Sequence, residues 1–142
     1  MELRILKNSE TFDAFALAWR VFSEFEAPEY PPQGIKTFYD FLHNEAETSK
    51  LCVYGAFVQG ALIGMLALRG NHISLFFVEK RYHRQGVGGA LFSFALQETE
   101  EPVTVNSSPY AVKIYRALGF KALGPEELRD GIRFTPMRYQ KN

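Results

Sequence analysis

One segment concentrates the groups that could hold an anion. It runs Val78-Glu79-Lys80-Arg81-Tyr82-His83-Arg84-Gln85-Gly86-Val87-Gly88-Gly89-Ala90-Leu91-Phe92. Gly86, Gly88 and Gly89 carry no side chain, so a ligand can approach the main chain there. A strand-like run precedes them and helical spacing follows, which places the glycines at a helix start. Such a start exposes unpaired N–H groups and the positive end of the helix dipole. Phosphate or pyrophosphate suits that arrangement, and Lys80, Arg81 and Arg84 add positive charge. Two nucleotide patterns do not match. A P-loop needs Lys-Ser/Thr after its last glycine, where Ala90-Leu91 stands. A dinucleotide fingerprint needs a third glycine at the position of Leu91. From spacing alone, a glycine-rich turn without a ligand remains the plain alternative.

A second cluster has a different character. Glu24, Phe25, Glu26, Glu29 and Tyr30 gather around Pro28, Pro31 and Pro32. Acidic and aromatic groups together suit a cationic amine, and an ordinary solvated acidic loop is the equal alternative. His43, His72 and His83 lack ligand spacing, and Cys52 is the one cysteine, so no metal site and no internal disulfide are expected. Cys52, between Leu51 and Val53, reads as a small buried strand residue rather than a nucleophile.

The elements that position these groups follow from periodicity. Residues 2–6 read as an edge-like strand, with Asn8 or Ser9 capping the next helix. In that helix Phe12, Phe15, Trp19 and Phe22 recur on one face and are expected in the core. Residues 27–34 read as a stiff loop, because three prolines and a glycine do not suit a helix interior. A helix is expected over 35–47, then a meander of strands over 51–58, 61–69 and 72–78. Helix 86–97, a β-rich run at 102–106 and helix 109–118 follow, with Gly119 as a left-handed cap. Runs 120–123 and 132–139 close the chain as strands. The unit from 72 to 106 should place its two strands parallel through a right-handed crossover. The class is α+β (mixed α/β), organised as a single domain over 1–142.

The balance of the chain removes other classes. Its 142 residues suit one domain, with 46% hydrophobic and 23% charged residues. Sixteen basic residues balance sixteen acidic ones, so no nucleic-acid partner is expected. No apolar run is long enough to span a bilayer and no signal peptide is visible, so no membrane partner and a cytoplasmic location are expected. Edge strands at both chain ends would allow a monomer or a homodimer.

The segment His83-Arg84-Gln85-Gly86-Val87-Gly88 resembles the acetyl-CoA signature of the GCN5-related N-acetyltransferase (GNAT) superfamily, Arg/Gln-x-x-Gly-x-Gly/Ala between a strand and a helix. Downstream, Ala111-Val112-Lys113-Ile114-Tyr115-Arg116-Ala117-Leu118-Gly119-Phe120 resembles the superfamily's tyrosine-bearing helix ending in Leu-Gly-Phe. The order of elements agrees over nearly the whole chain. The resemblance implies the acyl-CoA N-acyltransferase (GNAT) fold, a central mixed, mostly antiparallel sheet with a splayed parallel strand pair, flanked by helices. It implies acetyl-CoA as co-substrate. Phe76, Phe77 and Val78 would pair with the pantetheine arm as a strand, and the amides of Arg84, Gln85, Gly86, Val87, Gly88 and Gly89 would hold the pyrophosphate. Two positions depart from the pattern. His83 stands for the usual Arg or Gln, and Ser108 stands where many members have Asn, with Asn106 nearby as a substitute.

Acetyl transfer needs a neutral amine, a stabilised carbonyl oxygen and a protonated leaving thiolate. The resemblance assigns the last task to the Tyr115 hydroxyl and carbonyl polarisation to the Val78 amide. Tyr115 also fits a plain apolar helix face. The general base stays open among Glu24, Glu26, Glu29, His72 and Glu79. Glu26, Glu29 and Tyr30 form the expected acceptor wall. The expected function is transfer of acetyl from acetyl-CoA to a primary amine of a small molecule. The alternatives are a protein or peptide N-acetyltransferase, a non-catalytic acyl-CoA sensor, and a binder of another phosphorylated ligand.

Overall fold

The structure is a computed structural model that describes residues 1–140; the last two residues of the expected 1–142 domain lie outside them. The elements run β1(Glu2–Ile5), α1(Thr11–Phe25), α2(Pro32–Leu42), α3(Glu45–Thr48), β2(Cys52–Val58), β3(Ala61–Arg69), β4(His72–Val78), α4(Val87–Leu96), β5(Val103–Ser107), α5(Val112–Leu118), β6(Lys121–Ala122), β7(Glu127–Arg129) and β8(Ile132–Tyr139). The strands form one twisted order, β1-β2-β3-β4-β5-β8-β6, with β7 pairing β8. All neighbours are antiparallel except β4 and β5. The expected class and the parallel pair are therefore present. Among the described residues no helix is long and apolar enough to cross a membrane.

The sheet is covered on both faces, which is why the middle strands read as continuous apolar runs. On one face α1 and α2 pack over Met65, Ala67, Leu75 and Phe77. On the other, α4 and α5 bring Leu91, Phe92 and Tyr115 over Leu66, Ile73 and Val105. Arg4 joins β1 to the chain before α1 through two hydrogen bonds to Glu10, both 2.8 Å.

Several expectations are corrected. The buried stripe of α1 is Ala14, Leu17, Ala18, Val21 and Phe22. Alanines let the helix backbone settle close to the sheet; of the expected face Phe22 is buried and Phe15 and Trp19 pack half-buried against the core. Phe12 is 79% exposed, and Trp19 instead stacks on Phe38 of α2 at 6.4 Å. Asn8 and Ser9 do not cap α1; they sit in a 3-10 turn whose Lys7 N–H donates to Glu10 Oε1. The helix expected over 35–47 begins at Pro32 and ends at Leu42, because proline is favoured at the first helical position, where its missing N–H costs nothing. Asn44 then caps the separate turn α3 through Glu47 N–H. Cys52 is exposed, not buried. The C-terminal strand β8 is interior, paired by β5 on one side and by β6 and β7 on the other, so only β1 of the two chain-end strands is an edge.

Candidate functional site

The site is created by a failure of pairing. β4 and β5 are matched only at His72↔Thr104 and Ile73↔Val105, and then separate. The ladder between β3 and β4 says which groups this frees. Glu79 N–H donates to the carbonyl of Ile63 directly opposite, and such reciprocal pairs alternate along an antiparallel ladder. Phe77 therefore bonds toward β3, while the N–H and C=O of Phe76 and Val78 point away, into the gap that β5 has left. The gap opens into a cavity of about 360 Å³ that reaches both faces of the sheet.

On the α4 side, the ring of Phe76 lies 6.0 Å from that of Tyr115. Tyr115 is fixed by Phe120, 5.2 Å away edge-on, so the Leu118-Gly119-Phe120 turn holds the tyrosine helix against the core. Tyr115 is 7% exposed and lines the cavity. Burial first, and the charge of Glu26 second, push its phenol far up, so it stays protonated. Ser108 and Asn106 also line the cavity. The Ser108 hydroxyl accepts from Ala111 N–H at 3.2 Å, which helps turn the chain into α5.

On the α1 side, Glu26 and Tyr30 line the cavity, with Phe38 and Phe77. The Glu26 carboxyl is raised to about 7, first by burial, with the Ser108 hydroxyl opposing and Glu29 adding to the shift. Tyr30 is raised by burial and then by Glu26 and Glu29. Glu29 itself is exposed and does not line the cavity. The remaining base candidates separate in the same way. Glu24 pairs with Lys80 at 3.3 Å and Glu79 pairs with Arg20, both on the surface. His72 lines the cavity, but Thr104 Oγ1 engages its Nδ1 at 2.8 Å and burial lowers its pKa.

The glycine segment lies where β4 passes into α4. Gly86 precedes the helix with φ +83, a left-handed conformation that favours glycine, and Arg84 shares it at φ +63. No acidic residue occupies the first turn of α4, so its amides and positive dipole are not neutralised by the chain. Open space surrounds the Cβ positions of Gly86 and Gly89. His83 does something different from its neighbours. Its Nε2–H donates to the Val78 carbonyl at 2.6 Å, and its ring packs 5.0 Å from Phe25. It therefore anchors the loop to the strand end instead of facing an anion.

The sequence reading missed the far wall. The turn Asp130-Gly131 (φ +53 and +77) joins β7 to β8 and docks on α2. Gly131 meets Gly34 backbone to backbone. Thr37 Oγ1 lies 2.9 Å from the Asp130 carbonyl, and Arg133 donates to the Glu29 carbonyl at 3.2 Å. Asp-Gly is the strongest short hairpin signal and was available; its docking on a helix nearly a hundred residues earlier was not.

These features agree with known proteins. The family model of the acetyltransferase (GNAT) domain matches residues 26–141. A GCN5-related N-acetyltransferase from Rhodopseudomonas palustris superposes with a TM-score of 0.84, covering 99% of this chain and 95% of that one, at 20% identity. The PaiA N-acetyltransferase of Thermoplasma acidophilum, solved with coenzyme A, gives 0.71 over 99% and 100% at 17% identity. Tetrahymena GCN5 gives 0.69 over 98% and 95% at 14% identity. At these identities the likeness is one of fold. No curated protein matches the chain in sequence.

Proposed function

The chain belongs to the acetyltransferase (GNAT) domain family, and on that premise we propose that it moves the acetyl group of acetyl-CoA to the primary amine of a small molecule. The observation that carries the reading is the parting of β4 from β5. It leaves the backbone groups of Phe76 and the Val78 N–H free beside a cavity that Glu26 and Tyr115 both line, the Val78 carbonyl being held by His83. Acetyl-CoA fits this surface by its chemistry. Its amide-bearing arm matches the free N–H and C=O of Phe76 and the N–H of Val78, and its pyrophosphate matches the amides of Arg84, Gln85, Gly86, Val87, Gly88 and Gly89. Phe77 contributes its ring to the acceptor cavity, and its backbone belongs to the ladder with β3.

Acetyl-CoA supplies the acyl group as a thioester. Glu26 receives the proton of the acceptor ammonium; a carboxyl near neutrality is suited to that task. The Val78 N–H polarises the carbonyl oxygen. Tyr115, held protonated by its surroundings, gives a proton to the departing sulfur and regains one from the nitrogen as the amide forms. Ser108 and Asn106 hold the acyl-bearing end and, with Tyr30, shape the acceptor wall. Glu29 acts on Glu26 and Tyr30 through its charge. The acetyl group passes directly, without a covalent acyl-enzyme: no cysteine lines the cavity among the described residues. No metal enters this reading. It places the protein in the cytoplasm as one domain, a monomer or homodimer, without nucleic-acid or membrane partners, in keeping with its net charge of zero.

Calorimetric titration with acetyl-CoA, ATP and NAD tests the reading, on wild type and on Gly88→Glu. A Cβ at Gly88 meets Phe76 at 3.5 Å and Val78 at 4.0 Å, ordinary contacts, so the variant adds charge without breaking the helix start. Acetyl-CoA binding that is lost in the variant supports the cradle. Preference for ATP or NAD, or no acetyl-CoA binding, removes it.

A further inference from the structure

We propose that the acceptor is a compact primary amine carried on a short arm by a single aromatic ring, and that the cavity rejects polyamines and peptides. The inference rests on the acetyl-transfer reading above and names the substrate class of that site.

The first support is the wall itself. Phe22, Tyr30, Phe38, Phe41, Phe77 and Phe134 line the cavity. The rings hold one another in place: Phe38 stacks on Phe22 at 3.9 Å and 12°, and meets Phe77 edge-on at 5.8 Å and 70°. A fixed set of ring faces and edges favours a flat aromatic guest over a flexible chain, since little side-chain freedom remains to be lost on binding.

The second support is length. The cavity holds about 360 Å³, and the acyl end must share it. That is near the lower end for small-molecule sites. One wall is the Asp130-Gly131 turn, whose backbone abuts Gly34. Thr37 and Arg133 tie the same hairpin to α2 and to the chain before it. A peptide needs a groove that continues past the reacting amine, and the docked hairpin occupies that path.

The third support is charge. Among the described residues, the carboxylates lining the cavity are Glu26 and Asp130, and Arg129 lines it beside them. Glu26 is engaged by the reacting amine. Arg129 stands against a second ammonium, and its guanidinium already covers the Phe134 ring at 5.1 Å. A polycation finds no row of anions there.

The test is release of CoA thiol from acetyl-CoA by the wild-type protein with phenethylamine, hexylamine, spermidine, kanamycin and a tetrapeptide with a free N-terminus. Acetyl-CoA binding is measured in parallel. The proposal expects kcat/KM for phenethylamine to exceed each of the others by about tenfold or more. Phe41→Leu stays apolar and removes one ring; it should raise KM for phenethylamine by more than that for hexylamine. Should Phe41→Leu not fold, calorimetric binding of phenethylamine against hexylamine to the wild-type protein loaded with CoA gives the same comparison. Preference for spermidine, kanamycin or the peptide overturns the proposal while leaving acetyl transfer intact. Equal use of hexylamine and phenethylamine overturns the aromatic part. Acetyl-CoA binding without turnover of any amine overturns it as well. Absence of acetyl-CoA binding defeats the underlying function, and this inference with it.

Discussion

Gly34, in the first turn of α2, and Gly131, at the tip of the β7–β8 hairpin, touch through their backbones. A Cβ on Gly131 would lie 2.5 Å from the Gly34 nitrogen, and one on Gly34 would strike the Gly131 carbonyl. The contact docks the hairpin that lines the cavity, at Asp130, onto α2, in the wall of the proposed acceptor site. Gly34→Ala should push the hairpin off the helix and cost about 1–3 kcal/mol, as overpacking does elsewhere. Acceptor KM should rise while the Kd for acetyl-CoA stays unchanged. A denaturant melt and steady-state kinetics check both; a melt equal to wild type would show that the hairpin yields freely.

With Glu26 as the proposed base, the pH dependence follows from its carboxyl. The rate should climb with pH through about 7, where the carboxyl ionises. Glu26→Gln should lose that step and about a hundredfold in kcat. The sign for stability is opposite. Burial raises the folded carboxyl above its value of 4.5 in the open chain, so the native state keeps a proton that the unfolded state releases. Stability is therefore full below about pH 4.5 and falls as pH rises to about 7. Glu26→Gln should be more stable than wild type by roughly 1–2 kcal/mol at about pH 8 and equal to it at about pH 4. Melts at the two pH values decide the point.

Tyr115→Phe should lower kcat by about 10- to 1000-fold with acetyl-CoA affinity and melting temperature close to wild type. The ring and its contacts with Phe76 and Phe120 remain, and only the hydroxyl is lost. Unchanged turnover would assign the leaving-group proton to another donor.

His83→Ala should cost about 1–2 kcal/mol through the orphaned Val78 carbonyl and weaken acetyl-CoA binding by loosening the start of the cradle. His83→Gln, with an amide N–H that can reach the same carbonyl, should recover much of both. If His83→Ala binds acetyl-CoA as tightly as wild type, the 2.6 Å bond from His83 to Val78 is structural only.

Local patterns carried much of the fold. The bounds of β3, β4 and β8 follow from alternation and turn residues, and they agree with the structure residue for residue. Gly119 was legible as a left-handed cap and takes φ +108 beside the Tyr139 ring. The glycine segment was legible as a helix start because its signal lies within a few consecutive residues. Each of these is a short-range matter of backbone freedom and period.

Which groups face each other was decided only by the folded chain. Five acidic or imidazole candidates for the base looked alike in sequence. Packing set Glu26, half-buried, in the cavity wall, drew Glu24 and Glu79 into surface ion pairs, left Glu29 exposed and tied His72 to Thr104. The helix stripe of α1 is legible only in part for the same reason: Phe22 is buried and Phe15 and Trp19 flank the core, but the closeness of the sheet centres the stripe on alanines and leaves Phe12 exposed. The cavity wall joins α2 to a hairpin nearly a hundred residues later through a contact between two glycines. Side-chain type and spacing determine the elements and the anion cradle; burial, pKa and the shape of the acceptor pocket depend on partners distant in the chain, which only tertiary packing brings together.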